Sequence, residues 1–159
     1  MPSLSTLIAL IPALYLAFAA IPLTVIDLRE HRLPNRIVLP AFPIALLAQS
    51  IAVLVGADWV QLLLAIVLAL GIFIAGLLAN YFDWLGMGDV KLASALALTL
   101  GFFSPVGSLV ALGLAFVLAF GVVIFQLMRG RATLGQSIPL GPYLLLSFIC
   151  CLPVWAFTN

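Results

Sequence analysis

"WLGMGDVKLA", residues 84–93, sets two glycines, an aspartate and the single lysine of the chain into a gap between hydrophobic runs. Reading outward, apolar runs extend from Ser5 to Ile26, Ile37 to Val55, Val60 to Phe82, Val90 to Phe103, Val106 to Met128 and Ile138 to Phe157. One bilayer crossing takes roughly 20 apolar residues, so the pattern predicts an all-α, polytopic membrane protein of about six transmembrane helices. The fourth run is the short one. Its 14 residues rise only about 21 Å as a helix, so it must be sheltered by neighbours or extended by the residues before it. Composition agrees, with 66% hydrophobic and 7% charged residues among 159 and a mean hydropathy of +1.37, too little polar surface to coat a soluble globule. No internal repeat or low-complexity stretch breaks the chain, and residues 1–159 read as one membrane domain.

Charge sets orientation. Arg29, Arg32 and Arg36 lie in the first gap, Lys91 borders the third, and Arg129 and Arg131 lie in the fifth; "GAD" at 56–58 and "SP" at 104–105 carry no cation. Cytoplasmic loops are enriched in Lys and Arg, so the odd gaps should face the cytoplasm and both termini the outside. The cluster Arg29, Glu30, His31, Arg32 and Arg36 reads chiefly as a topological anchor. A net charge of +1 offers no field for nucleic acid, and none is expected as a partner. "AFAA" at 17–20 contains a small-x-small site, but no Lys or Arg precedes it, which argues against a cleaved signal peptide. Cys150 and Cys151 are adjacent in an apolar run and read as buried small residues. Trp59, Trp84 and Trp155 fall near predicted interfaces, and Pro12, Pro22, Pro40 and Pro43 should kink or end helices.

Two acids then fall on one face. Asp27 closes the first run and Asp89 opens the fourth, with two crossings between them. Ionisable side chains bordering hydrocarbon are costly and suggest function. Gly86 and Gly88 would permit positive φ and close approach of another backbone. Asp89 at a helix N-terminus is favoured as an anion and Asp27 at a helix C-terminus is disfavoured. Paired carboxyls tend to divide into one protonated and one ionised group, the arrangement that activates water against a peptide carbonyl. Asp83 is the rival acid, though its position suits a solvated helix end. Lys91 lies about 200° round the helix from Asp89 and reads as an interfacial anchor. A lone histidine and no Cys/His cluster imply no metal and no other cofactor.

These residues resemble a known family. "GMGD" at 86–89 followed by Lys91 is similar to the GxGD signature of type IV prepilin peptidases, "DLREHRLPN" at 27–35 resembles their first catalytic segment, and "IPLGPYL" at 138–144 resembles the motif that opens their last helix. The resemblance implies an aspartyl peptidase of the bacterial inner membrane with Asp27 and Asp89 as catalytic pair and Gly86 and Gly88 shaping the active-site loop. Asp89 would serve as general base and protonated Asp27 would polarise the carbonyl. The implied substrate is a prepilin or pseudopilin, cut between its basic leader and its hydrophobic helix at the cytoplasmic boundary. Many bacterial members add CxxC zinc motifs associated with N-methylation. This chain begins almost directly with its first apolar run and has no such motif, so the resemblance implies a peptidase without methyltransferase activity. Asn35 stands where some relatives have an acid and is expected to cap the second helix. A small proton-coupled transporter or a noncatalytic membrane scaffold is the alternative, though transporters usually bind near the midplane on repeated halves.

Overall fold

The computed structural model describes residues 3–30, 33–129 and 139–158. His31, Arg32, Arg131, Ile138 and the side chain of Trp155, all given roles above, lie outside the described residues. The described chain forms eight helical segments, α1 (Leu4–Ala9), α2 (Ile11–Glu30), α3 (Asn35–Val38), α4 (Ala41–Leu54), α5 (Trp59–Tyr81), α6 (Met87–Gly101), α7 (Pro105–Met128) and α8 (Gly141–Thr158). They compose six rods, because α1 runs into α2 and α3 into α4. Proline makes both joints: Pro12 has no N–H to offer the turn before it, and Pro40 follows the end of α3. Pro22 sits inside an unbroken α2, so the kink expected there does not interrupt the helix. The rods Leu4–Glu30, Asn35–Leu54, Trp59–Tyr81 and Pro105–Met128 are long and apolar enough to cross a membrane. The chain is an all-α polytopic membrane protein.

Helix starts follow side-chain chemistry. Ser3 caps α1 by accepting from Thr6 N–H, Asp58 caps α5 by accepting from Val60 N–H at 2.9 Å, and Ser104 caps α7 by accepting from Gly107 N–H at 3.0 Å. Pro105 takes the first position of α7, where a missing N–H costs nothing. Asn35 does not cap. Pro34 occupies the cap of α3 without a side-chain bond, and Asn35 is instead the first helical residue.

The rods turn small residues inward. Ala41, Ala45, Ala48 and Ala52 are the buried face of α4 together with Gln49; Ala65, Ala69 and Gly76 form that of α5; Gly107, Ser108, Ala111, Ala115 and Ala119 form that of α7. Four-residue spacing keeps such positions on one face. The large side chains point away, with Phe18 80% and Phe120 66% exposed, as a lipid-facing surface requires. Lipid is as apolar as leucine, so packing in a bilayer depends on close backbone approach through small residues. Cys150 corrects the sequence reading: Cys151 is buried but Cys150 is exposed, since neighbours on a helix point about 100° apart.

Short α6 is the central post. Val90 and every residue from Leu92 to Gly101 are buried, and α6 packs against α2, α3, α4, α5, α7 and α8. Both solutions to its shortness are realised, because it begins at Met87 rather than Val90 and protein surrounds it. Its buried hydroxyls are satisfied locally: Ser94 Oγ donates to Val90 O at 2.8 Å and Thr99 Oγ1 to Ala95 O at 2.9 Å. From α4, buried Gln49 Nε2 donates to Leu98 O at 2.8 Å.

The tightest crossing is α5 on α6. A Cβ built on Gly76 would lie 2.6 Å from Val90 Cγ1, and a valine in a helix has little rotamer freedom to withdraw. Gly76→Ala is expected to lower stability by about 1–3 kcal/mol through overpacking. Adding Val90→Ala should recover part of that loss. Thermal unfolding of the purified protein in detergent checks the coupling; a double variant no more stable than the two losses added together would refute the contact.

Candidate active site

Asp27 lies in the last turn of α2 and is only 4% exposed. A buried carboxylate needs donors, and one comes from far along the chain: Gly141 N–H donates to Asp27 Oδ2 at 3.1 Å. That N–H opens α8, whose first turn is built on Leu140 O accepting from Tyr143 and Leu144 N–H, each at 3.1 Å. An α-helix leaves its first N–H groups without partners inside the helix, and Asp27 takes one of them. Pro142 follows without cost, because its position needs no donor. Only glycine fits at 141, since a Cβ there would lie 2.6 Å from Asp27 Oδ2 and 3.2 Å from its Cγ.

Asp89 is the third residue of α6, with Gly86 as the cap. It is half-buried. Its Oδ2 lies 3.1 Å from where a Gly86 Cβ would be, and its Oδ1 is buried with no hydrogen-bond partner. A buried polar atom without a partner is expensive; among the described residues Asp89 Oδ1 shares that condition with Gln49 Oε1. The glycines act through space rather than through unusual dihedrals. Gly86 has φ −67°, and Gly56 is the glycine with positive φ among the described residues. At Gly88 the close approach expected from sequence does occur, but with this chain's own backbone. A Cβ there would lie 2.9 Å from Leu33 Cβ and 3.3 Å from Leu33 N.

The two acids stand at the same end of the bundle, and the charge of Asp27 bears on Asp89. Leu33 is the buried wedge between their supports: it packs on Gly88, and its Cδ2 lies 3.4 Å from the Cβ position of Gly141. Lys91 Nζ donates to Asn35 Oδ1 at 3.0 Å, tying the first turn of α6 to the start of α3. Asp27, the 33–35 stretch, residues 86–91 and residues 140–142 thus form a single cluster. Leu33 and Gly141 stand in this cluster although the sequence reading gave neither a role of its own; each appeared only inside a motif, "DLREHRLPN" and "IPLGPYL".

The α8 N-terminus alters the electrostatic expectation. Asp27 does lie at the C-terminal end of its own helix, but its Oδ2 faces the positive end of another helix and receives an N–H, both of which favour an anion. Asp89 also opens a helix, yet its Oδ1 has no donor. Two nearby carboxylates resist joint ionisation, and of this pair Asp27 Oδ2 receives a backbone N–H. Asp83 stays apart as an exposed residue after α5 with a left-handed φ of 56°, and its N–H donates to Asn80 O at 3.0 Å.

Beside Asp89 a cleft of about 180 Å³ opens between α5, α6, α7 and α8, lined by Ile72, Gly76, Leu85, Phe116 and Leu140 among others. Lys91 lines a different cleft on the opposite side of α6, in keeping with its angular separation from Asp89. Among the described residues no three His, Cys, Asp or Glu side chains gather as a metal would require. The cluster can exchange protons and hold a water or a carbonyl at an otherwise apolar helix boundary.

Compared with known proteins, residues 14–156 match the type IV leader peptidase family. No curated protein and no solved structure matches the chain.

If Gly141 is the strut that aims Asp27, Gly141→Ala should cut leader-peptide cleavage by about 100-fold, the usual penalty for misplacing a reacting group by an ångström. Its unfolding midpoint should stay near that of the parent. Cleavage rates and thermal scans on the same membrane preparation check this, and a variant with full activity would remove Gly141 from the site.

Proposed function

Because this chain belongs to the type IV leader peptidase family, we propose that it is an intramembrane aspartyl endopeptidase in which Asp27 and Asp89 form the catalytic pair. The observation that carries the reading is the pair of acids from separate rods at the same end of the bundle, one held by the Gly141 N–H and the other with a buried, unpartnered Oδ1. As a peptidase of this family in a membrane, it acts on a prepilin-like substrate. The finer reading is removal of the basic leader of a type IV prepilin or pseudopilin at the cytoplasmic face of the bacterial inner membrane. Arg29, Arg36 and Lys91 lie near the acids in sequence and support that orientation through the positive-inside tendency, with both termini outside. The chain contains no CxxC pair, which supports cleavage without N-methylation.

The chemistry follows from the donors. Ionised Asp27, steadied by Gly141, takes a proton from water as the water oxygen attacks the scissile carbonyl carbon. Asp89, carrying the shared proton, gives it to the carbonyl oxygen. The pair has then exchanged roles. On collapse, Asp27 hands its proton to the leaving amine while Asp89 recovers one from the intermediate's hydroxyl, which restores the starting state. Gly86 and Gly88 leave room for Asp89 and Leu33 at this turn. This assignment reverses the one drawn from each acid's own helix, because the donor from α8 outweighs a dipole bias of up to ~1 kcal/mol.

Co-expression with a prepilin, followed by N-terminal sequencing and mass measurement of the product, tests the proposal. A new, unmethylated N-terminus just before the hydrophobic helix is expected, whereas an intact prepilin would favour the transporter or scaffold reading. Asp27→Asn and Asp89→Asn should each reduce cleavage by about 10²–10⁴-fold while remaining folded in the membrane. The parent rate should fall on both the acid and the alkaline side of an optimum, as a pair sharing one proton requires. Near-parental cleavage by either variant would remove that residue from the pair.

A further inference from the structure

Away from the acids, α4, α5 and α6 enclose a cleft of about 320 Å³ whose lining includes Phe42, Leu46, Ile66, Phe73 and Leu98, with Lys91 at one end. Lys91 and Leu98 are seven residues apart on α6, about 10 Å along its axis. The cleft is therefore an apolar slot with Lys91 at its end. Ser94 also lines it, but its hydroxyl is already donated to Val90 O at 2.8 Å, so the slot offers little to water or to a peptide backbone. Leu46 and Leu70 remain partly exposed along it, and it opens toward the surface that meets the bilayer.

Lys91 decides the occupant. Its Nζ donates to the neutral Asn35 Oδ1 at 3.0 Å, and no carboxylate among the described residues forms an ion pair with it. An ammonium has three donors, so most of its capacity and its whole charge remain available at the edge of hydrocarbon, where an anionic partner is favoured. A cleft of about 320 Å³ suits a file of methylenes better than a helix about 10 Å across.

We propose that the α4–α5–α6 cleft is a binding site for an anionic phospholipid, one acyl chain lying along Phe42, Leu46, Ile66 and Phe73 and the phosphate paired with Lys91. The cleft is distinct from the one beside Asp89, although Lys91 also ties the first turn of α6 to α3. Phosphatidylglycerol carries the net negative charge that Lys91 calls for. Phosphatidylcholine has the same chains and a neutral headgroup.

The test uses the full chain reconstituted in phosphatidylcholine vesicles doped with phosphatidylglycerol or phosphatidylcholine bearing the same photoreactive acyl chain, with labelled peptides mapped by mass spectrometry. Labelling of α4 and α5 beside the cleft should favour phosphatidylglycerol by about fivefold, the factor one basic residue near a charged surface supplies. Lys91→Gln should bring it to parity with phosphatidylcholine, Lys91→Arg should keep the preference, and Ala69→Phe should reduce labelling by both lipids by filling the floor. Thermal scans identify any variant that fails to fold, and Lys91→Arg with Ala69→Phe keeps the proposal testable if Lys91→Gln does. Equal labelling of the parent by the two lipids, a preference that survives Lys91→Gln, or label displaced by a prepilin peptide but not by excess phosphatidylglycerol would overturn the proposal.

Discussion

Rods surrounded by lipid gain little by hiding leucine from a solvent that is itself hydrocarbon, so what brings them together is how closely their backbones can approach. In this protein that constraint is met by alanine, glycine and serine at four-residue spacing on α4, α5 and α7. Close approach makes room for a 15-residue α6 wrapped by protein along its buried length, and α6 carries Asp89 in its first turn. The same economy at the ends lets Gly88 admit Leu33 and Gly141 admit Asp27. Were those positions larger, the rods would stand further apart and the acids with them.

The Gly141 bond to Asp27 shows how the bundle handles charge in a poor dielectric. One orphan donor of a helix start and one buried acceptor satisfy each other, and the N-terminal end of α8 adds its field. Asp89 has no such arrangement for Oδ1. The asymmetry lies in donors rather than in residue type, since Asp27 Oδ2 receives the Gly141 N–H and Asp89 Oδ1 receives none. In a low dielectric a single well-placed donor has a large effect.

Much of this was legible in the chain. Each apolar run became a rod because runs near bilayer length have little alternative to helix when backbone groups must be satisfied internally, and the gaps held the turns that later converged. The inward faces were harder to read, since a helix that is apolar all round has no polar side to betray its orientation; the signal lay in residue size, in series such as Ala41, Ala45 and Ala52. Gly86 was read for dihedral freedom and proved to supply space, because an N-cap is extended rather than left-handed. Asn35 was read as a cap from its type, but Pro34 took that position and Lys91 claimed the side chain. Gly141 could not have been paired with Asp27 from local pattern, as 114 residues separate them.

Joining these elements at one end has a consequence for what the fold can tolerate. The first turn of α6 is held by Lys91 to α3, by Gly88 to Leu33 and, through Val90, by the tight contact with Gly76 of α5. Asp89 sits within that turn and cannot shift without disturbing at least one of these contacts. Rigid support of this kind is what a reacting carboxyl needs, since misalignment by an ångström is costly in rate. It also explains how an unpartnered oxygen can persist: the acid would gain by rotating or moving toward a donor, but helix start, wedge and neighbouring rod oppose the movement together. The local cost of unsatisfied polarity is offset by packing spread across α5, α6 and the 33–35 turn.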